Sequence, residues 1–260
     1  MKKLGQHFLT SKNIAERIAG AADISSRDTI LEIGPGKGAL TRALLEKNPK
    51  KIIAVEKDTR LIPVLQALFG DKKKFSVIEG DIRELVQKNQ LKKQLGTSYK
   101  VVANIPYYLT SYLIRILLEN GLTKPKSIVF MVQKEVAFRI AQKPPHMNLL
   151  ALSAQSAGDV RVAFTVPKKY FSPKPKVDSA VIVIDNISQK FFTRVDKKKF
   201  FALLHVGFSS KRKMLASNLI KKYSIPRSEI EHVFRACAID TKARAENLSL
   251  KDWKCICAEI

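Results

Sequence analysis

A glycine-rich string between two regular patterns constrains the fold of this chain more than any other feature. Thr29 to Ile33 has the composition of a short buried strand, and Ala39 to Lys47 has the periodicity of a helix. Between them lies Gly34-Pro35-Gly36-Lys37-Gly38, with three glycines in five residues. Glycine permits a tight turn and lets a ligand approach the backbone closely. The string therefore predicts a ligand-binding turn, the alternative being an ordinary strand-to-helix connection.

The first two thirds of the chain alternate short apolar runs with helical patterns. Further predicted strands are, in chain order, Lys51 to Val55, Phe75 to Ile78, Lys100 to Ala103, Ser127 to Val132, Val160 to Val166 and Ser179 to Ile184. Strands separated by helices imply right-handed crossovers. We therefore predict an α/β domain over residues 1–187, built on a mostly parallel, doubly wound, Rossmann-like sheet.

The C-terminal part of the chain shows a different pattern. From Val195 onward only helical periodicity is present, which predicts a small all-helical domain over residues 188–260. Ser224 is expected to be the N-cap of a helix that Pro226 opens. The three cysteines, at positions 237, 255 and 257, are too few and too clustered for a disulfide framework. They are expected to be structural residues in a reducing cytosol.

Two acidic residues follow successive strands of the predicted sheet. Glu56 ends the second strand, 22 positions after Gly34, which suits a carboxylate that accepts hydrogen bonds from ribose hydroxyls. Asp81 follows the third strand, where it can hold an adenine amino group or serve as the N-cap of a helix from Ile82 to Lys88. Open α/β sheets bind ligands at the carboxyl ends of their strands, so the shared edge favours a nucleotide cofactor. These features alone do not separate an NAD site from an S-adenosylmethionine (SAM) site.

The fourth predicted strand ends in Asn104-Ile105-Pro106-Tyr107. The Asn104 amide oxygen and a nearby backbone carbonyl can both accept hydrogen bonds from an exocyclic amine. Tyr107 can stack on a nucleobase, and Pro106 restricts the backbone between them. In this position, the string predicts a pocket that holds the amino group of a base against the cofactor.

The charge of the chain points to a polyanionic partner. It has 47 Lys and Arg residues against 23 Asp and Glu residues, a net charge of +24. Such an excess predicts a polyanionic partner, for which nucleic acid and an anionic membrane face are the natural candidates. No apolar run reaches the roughly 20 residues that span a bilayer, and the N-terminus lacks a secretory apolar stretch. We therefore expect a cytoplasmic protein with no membrane partner.

Taken together, these strings resemble the small-subunit ribosomal RNA adenine N6-dimethyltransferase family. Asn104 to Tyr107 looks like the (Asn/Asp/Ser)-x-Pro-(Tyr/Phe) signature of amino-methyltransferases that act on DNA or RNA. Four further strings narrow the resemblance to this family: Gly5-Gln6-His7-Phe8-Leu9, Leu31 to Gly36, Phe171 to Ser179 and Arg244 to Ser249. The resemblance runs nearly end to end along the chain. The resemblance implies a SAM-dependent methyltransferase domain and a helical C-terminal domain that contacts RNA or the ribosome.

The resemblance also implies roles for individual residues. It assigns cofactor contacts to His7, Leu9, Gly34, Glu56, Asp81 and Asn104. It assigns catalytic and target-base contacts to Asn104, Ile105, Pro106, Tyr107 and Phe171. One departure is His7, which stands where Asn is common in the family. A second is Phe208 to Lys213, a looser version of a basic string of the family.

The implied reaction transfers four methyl groups from SAM to the N6 amines of two adjacent adenines near the 3′ end of small-subunit ribosomal RNA. The reaction converts SAM to S-adenosylhomocysteine, and neither a metal nor a catalytic histidine is expected. The expected partners are small-subunit ribosomal RNA and the small-subunit precursor, bound by a monomer. A role in small-subunit biogenesis is implied as well.

Three other functions remain open from the sequence. One is a large-subunit ribosomal RNA adenine methyltransferase of the antibiotic-resistance type, which shares the catalytic string. Another is a ribosome-assembly factor that keeps the fold without catalysis, against which the intact glycine loop and Asn104 to Tyr107 argue. An NAD-dependent dehydrogenase is the most distant alternative.

Overall fold

The structure is a computed structural model that describes residues 7–119 and 124–260, so Gly5 and Gln6 of the N-terminal string lie outside the described residues. In these ranges, the strands are β1 (Phe8–Leu9), β2 (Thr29–Ile33), β3 (Lys51–Glu56), β4 (Phe75–Glu79), β5 (Lys100–Asn104), β6 (Ser127–Gln133), β7 (Asp159–Val166), β8 (Phe171–Ser172) and β9 (Ser179–Asp185). The α-helices of the same ranges are α1 (Lys12–Ala21), α2 (Ala39–Glu46), α3 (Ile62–Phe69), α4 (Ile82–Gln87), α5 (Lys92–Leu95), α6 (Thr110–Leu118), α7 (Lys134–Ile140), α8 (Leu149–Gln155), α9 (Lys197–Gly207), α10 (Leu215–Tyr223), α11 (Arg227–Ala236) and α12 (Leu250–Glu259). No helix within the described ranges combines the length and the apolar character that a bilayer crossing requires.

Seven of the described strands form one sheet in the order β4-β3-β2-β5-β6-β9-β7. The pairs from β4 to β6 are parallel, and β9 is antiparallel to both of its neighbours. The predicted Rossmann-like, mostly parallel sheet is therefore confirmed, with each of its seven strands at its predicted place. The order of strands reverses between β2 and β5, and such a switch point is where open α/β sheets bind their ligands.

The central strands of the sheet are buried on both faces. Ile30, Ile52 and Val102 point to the face on which α1 and α2 pack, and they belong to one apolar cluster with residues of both helices. Neighbouring residues that point the other way, such as Leu31 and Ile53, are fully buried as well. Continuous apolar strands of this kind are typical of a parallel sheet between two helical layers.

The glycine turn joins β2 to α2 in a conformation that only glycine adopts readily. Gly34, Gly36 and Gly38 have φ angles of 69°, 59° and 80°, all in the left-handed region. Gly38 is the N-cap of α2, and a Cβ atom there would lie 2.5 Å from Cε2 of Phe69. Both the backbone conformation and the available space therefore require glycine at this position.

The chain divides into two compact units. The first comprises Met1–Phe138 and Gly158–Ile187, and the second comprises Arg139–Ala157 and Ser188–Ile260. The second unit therefore begins its main segment at the boundary proposed from the sequence, but it also contains residues 139–157, which the sequence places in the first domain. The reason is α8, whose Ala151 and Leu152 are buried in one cluster with Phe200 and Leu204 of α9. The two-domain division at residue 187 stays a proposal.

Two local expectations for the second unit are wrong. Ser224 does not cap α11: it ends α10 in the left-handed conformation, and Pro226 is the N-cap of α11. The cysteines, for which a reducing cytosol and no disulfide framework were expected, include one pair, since Cys237 and Cys255 form a disulfide, while Cys257 is free and buried. The end of α11 and the middle of α12 bring the two Cα atoms to 5.8 Å, although 18 residues separate them in sequence. Such proximity depends on helix packing, which residue spacing does not reveal.

Candidate active site

A cleft opens at the carboxyl ends of β2, β3 and β5, where the strand order reverses. The empty space between its walls, counted out into the solvent at its mouth, is about 790 Å³. Its lining residues are His7, Phe8, Leu9, Gly34, Pro35, Gly36, Lys37, Ala39, Leu40, Glu56, Asn104, Ile105, Pro106, Tyr107 and Phe171. The structure thus brings together every site residue proposed from the sequence except Asp81.

Glu56 lines this cleft and is almost completely buried. Its Oε2 accepts a hydrogen bond from the Gly36 amide at 3.0 Å, and its Oε1 accepts one from the Asp58 amide at 2.9 Å. The carboxylate is therefore fixed in place by backbone groups of the glycine turn and of the segment after β3. It is suited to accept further hydrogen bonds from the hydroxyls of a ribose.

The segment from Asn104 to Tyr107 forms the opposite wall. Asn104 Nδ2 donates to the His7 carbonyl oxygen at 3.4 Å, which leaves Oδ1 as the acceptor of that amide. The Tyr107 hydroxyl lies 2.9 Å from Ser179 Oγ, so a hydrogen bond to β9 holds the ring. Burial raises the pKa of Tyr107 above its ordinary value, so this phenol stays protonated at neutral pH.

The N-terminal strand closes one side of the cleft. Strand β1 pairs antiparallel with β8, which places Leu9 opposite Phe171. His7 Nδ1 donates to the Pro173 carbonyl oxygen at 2.7 Å, and the His7 ring stacks on Tyr107 with centroids 6.1 Å apart. The N-terminal motif is therefore fixed to the segment that carries Phe171, and both contribute to the same cleft.

Asp81 lies in a neighbouring cleft rather than in the main one. This second cleft shares Gly34, Glu56 and Pro106 with the first. Asp81 is the N-cap of α4, as its alternative interpretation predicts, since its side chain accepts from the Arg83 amide. The Arg83 guanidinium holds the pKa of this carboxyl well below its usual range, against the opposing effect of burial and with the help of Lys57.

A second buried carboxyl lies in β2, just before the glycine turn. Glu32 of β2 is 1% exposed, and its Oε2 accepts a hydrogen bond from the Thr41 hydroxyl of α2 at 2.8 Å. Its Oε1 has no hydrogen-bond partner among the described residues. Burial raises the pKa of Glu32 to about 8, the Thr41 hydrogen bond opposes this shift, and the nearby Glu56 carboxylate adds to it. Glu32 is therefore largely protonated at neutral pH.

This buried carboxyl makes stability depend on pH. The folded protein keeps the Glu32 proton up to a pKa of about 8, whereas the unfolded chain releases it near 4.5. The stabilising contribution is therefore fully present below the lower value and is lost as pH rises through the higher one. Glu32→Gln cannot ionise, so its free energy of unfolding relative to wild type is expected to increase between about pH 5 and pH 8. Urea unfolding across that range measures it, and a pH-independent difference would contradict the assignment.

The residues of the main cleft fit a SAM-type cofactor. At Gly34 a Cβ atom would have no neighbour within 4 Å, so the missing side chain leaves open space at the wall of the cleft. Glu56 provides a fixed hydroxyl acceptor, and Leu9, Leu40 and Ile105 provide apolar surface. Pockets for nucleotide cofactors combine such apolar walls with a few well-placed polar groups.

Comparison with known proteins identifies the family. A family profile described as "Ribosomal RNA adenine dimethylase" matches residues 1–260. The chain belongs to this family and is a SAM-dependent ribosomal RNA adenine dimethyltransferase. The protein named "Ribosomal RNA small subunit methyltransferase A" from Dehalococcoides mccartyi (strain CBDB1) is 41% identical over 258 residues, covering 99% of this chain and 87% of the relative. The protein of the same name from Clostridium acetobutylicum is 39% identical and covers 100% of this chain and 93% of the relative.

Solved structures show the same architecture. A dimethyladenosine transferase from Plasmodium falciparum superposes with a TM-score of 0.80 at 26% identity, covering 96% of each chain. The 23S rRNA methyltransferase ErmE superposes with a TM-score of 0.77, covering 97% of this chain and 98% of its own. Its identity of 21% shows a common fold only.

Sequence reasoning did not single out three residues of this region. Arg83 and Lys57 pair with Asp81, and Thr41 pairs with the buried Glu32. Arg83 was detectable, because a residue two positions after an N-cap aspartate donates its amide to that carboxylate. Lys57 and Thr41 reach their partners from other elements, so no local pattern indicates them.

Proposed function

We propose that this chain N6,N6-dimethylates two adjacent adenines near the 3′ end of small-subunit ribosomal RNA. We further propose that it acts as a cytoplasmic monomer on the small-subunit precursor, with a role in small-subunit biogenesis. The observation that carries the proposal is the main cleft, in which Asn104, Tyr107, Phe171 and Glu56 line one space at the switch point of the sheet. The names of the curated relatives support the small subunit as the target.

Residues around the glycine turn would hold the cofactor. Glu56 would accept from the ribose hydroxyls, the Gly34 backbone would lie against the cofactor, and His7 and Leu9 would close over it. Asp81 would accept from the adenine amine. When bound, SAM supplies an electrophilic methyl group on its sulfonium, and no metal is required.

Asn104 and Ile105 would hold the target amine. The lone pair of an adenine N6 amine is delocalised into the ring, so the amine is a weak nucleophile. Hydrogen bonds from it to Asn104 Oδ1 and to the Ile105 carbonyl polarise it, and they stabilise the positive charge that develops during transfer. Holding the amine in line with the methyl group recovers roughly 7–11 kcal/mol of the barrier. The methylated nitrogen is acidic and releases its proton to water, so no side chain serves as a general base.

Two aromatic residues would hold the extruded base. Extrusion from the RNA stack costs a few kcal/mol, and stacking on an aromatic side chain returns about 1–3 kcal/mol per base. The Tyr107 ring is fixed by Ser179, and Phe171 is fixed by the pairing of β8 with β1. Because other elements already hold both aromatic rings, these side chains lose little conformational freedom when the base enters.

Exposed cations would bind the RNA backbone. The first unit exposes Lys169, Lys174 and Lys176 on the segment that flanks Phe171. The exposed basic residues of the second unit include Lys198, Lys199, Lys211, Arg212, Lys213, Lys221 and Lys222. Phosphate contacts of this kind supply much of the affinity for RNA and position the substrate.

Methylation of isolated ribosomal particles distinguishes the proposed function from that of a large-subunit methyltransferase of the antibiotic-resistance type. Small- and large-subunit particles that lack the methyl groups are incubated separately with the protein. With labelled SAM, we expect label in RNA of the small-subunit particles and background in the large-subunit particles. Preferential labelling of the large subunit would contradict the proposed target. Absence of label from both, with retained RNA binding, would favour a non-catalytic assembly factor.

A further inference from the structure

Every acceptor position of the Asp81 carboxylate is already engaged. Oδ1 accepts from the Arg83 amide at 2.9 Å and from Arg83 Nε at 3.0 Å. Oδ2 accepts from Arg83 Nη2 at 2.5 Å and from Lys57 Nζ at 2.9 Å. An ionised carboxylate offers about four lone-pair sites. An adenine amine can therefore bind Asp81 only when one of these donors leaves.

Lys57 is the donor that leaves at the lowest cost. Arg83 binds through its backbone amide and through a planar guanidinium that contacts both oxygens, an arrangement fixed locally by the first turn of α4. Lys57 reaches Asp81 from the end of β3 through a single bond, and its side chain is 51% exposed. An exposed ammonium on a flexible stem gains little from one ion pair and is readily solvated when it moves away.

The cleft around Asp81 combines apolar walls with a polar acceptor, the combination typical of sites for small ligands. Its walls include Ile82, Pro106 and Leu109, and Asp81 is one of its acceptors. Lys57 and Asp81 both line this cleft, and the Lys57 ammonium donates to Oδ2 of Asp81. The hydrogen bond from Lys57 thus takes the acceptor that an adenine amine would need.

We propose that Lys57 occupies the adenine-amine position on Asp81 in the free protein and that cofactor binding displaces it, so that Lys57 sets the affinity for the adenine group. The proposal rests on the proposed role of Asp81 as the adenine contact. Arg83 stays in place and orients the carboxylate while the amine replaces the ammonium. Oδ2 accepts the same number of hydrogen bonds before and after the exchange, and the Lys57 side chain moves into solvent.

Calorimetric titration of Lys57→Met with S-adenosylhomocysteine tests the exchange. Methionine keeps an apolar stem of similar length and removes the ammonium. We expect the Kd of S-adenosylhomocysteine to fall about two- to fivefold, the range that corresponds to releasing one exposed ion pair. The 6-deamino analogue, in which hydrogen replaces the amine, needs no displacement, so its Kd is expected to be the same in wild type and variant.

The matched control is Lys88→Met, which removes a lysine of similar exposure paired with Glu84 at 3.6 Å. Its affinity for both ligands is expected to equal that of wild type. An unchanged or weaker affinity of Lys57→Met for S-adenosylhomocysteine would overturn the exchange. An equal fall in the Kd of both ligands would also overturn the exchange, since a general effect of the lost charge would then explain the result. In Lys57→Met, where no ammonium competes for Oδ2, equal affinity for the two ligands would refute the adenine role of Asp81, and lack of any binding by wild type would refute the proposed function itself.

Discussion

Asn104→Ala is expected to lower kcat for methyl transfer about 10²–10³-fold, the effect of removing one preorganised group that stabilises transition-state charge. The amide oxygen is the acceptor proposed for the target amine, and alanine leaves no acceptor there. RNA affinity is expected to stay within about twofold of wild type, because base-independent phosphate contacts dominate it. Single-turnover transfer of labelled methyl groups and filter binding measure the two quantities on one preparation.

Asn104→Asp is the matched variant for this experiment. It retains an acceptor oxygen of the same reach but loses the amide donor to the His7 carbonyl. We therefore expect an activity between those of wild type and Asn104→Ala. Full activity of Asn104→Ala would remove the proposed amine contact, and a parallel loss of RNA binding would assign Asn104 to folding or docking instead of chemistry.

The largest effect on stability is expected at Trp253, the single tryptophan of the chain. It is fully buried in the core of the second unit and stacks on Phe208 with ring centroids 5.8 Å apart. The absence of a side chain at Gly207 admits its ring, since a Cβ atom there would lie 2.2 Å from Cη2 of Trp253. Trp253→Ala is expected to lower the free energy of unfolding of this unit by about 3–5 kcal/mol. Hydrogen exchange of amides in α9 and α12 measures it.

Trp253→Phe distinguishes ring packing from hydrogen bonding. Nε1 of Trp253 is buried and has no hydrogen-bond partner among the described residues. Phenylalanine therefore loses volume but no hydrogen bond, and we expect a cost of about 1–2 kcal/mol. A cost of Trp253→Phe above this range by the roughly 1–3 kcal/mol of a broken buried hydrogen bond would show that the indole nitrogen has a partner, contrary to the structure.

The strands and the glycine turn were predictable because their signals are local. Strands buried on both faces are continuous apolar runs, and Gly34 to Gly38 follows the first of them. The locations of Glu56 and Asn104 followed from the rule that parallel strands present their carboxyl ends at one edge. The helical character of the C-terminal segment was equally local, since periodicity alone indicates it.

The remaining features depend on contacts between elements distant in sequence. The disulfide between Cys237 and Cys255 requires α11 and α12 to pack side by side. The inclusion of α8 in the second unit requires the cores of distant segments to meet. The saturation of Asp81 depends on Lys57, 24 residues away. A single sequence shows the residue types of these pairs but not their proximity.

Mass spectrometry of ribosomal RNA tests the central claim most directly. Small-subunit particles that lack the modification are incubated with the purified protein and SAM, and the RNA is digested and sequenced by fragment mass. The expected product carries N6,N6-dimethyladenosine at two adjacent positions near the 3′ end, and Asn104→Ala yields little of it in the same time. Unmodified adenines at both positions after incubation with wild type, or dimethyladenosine confined to large-subunit RNA in a parallel reaction, would contradict it.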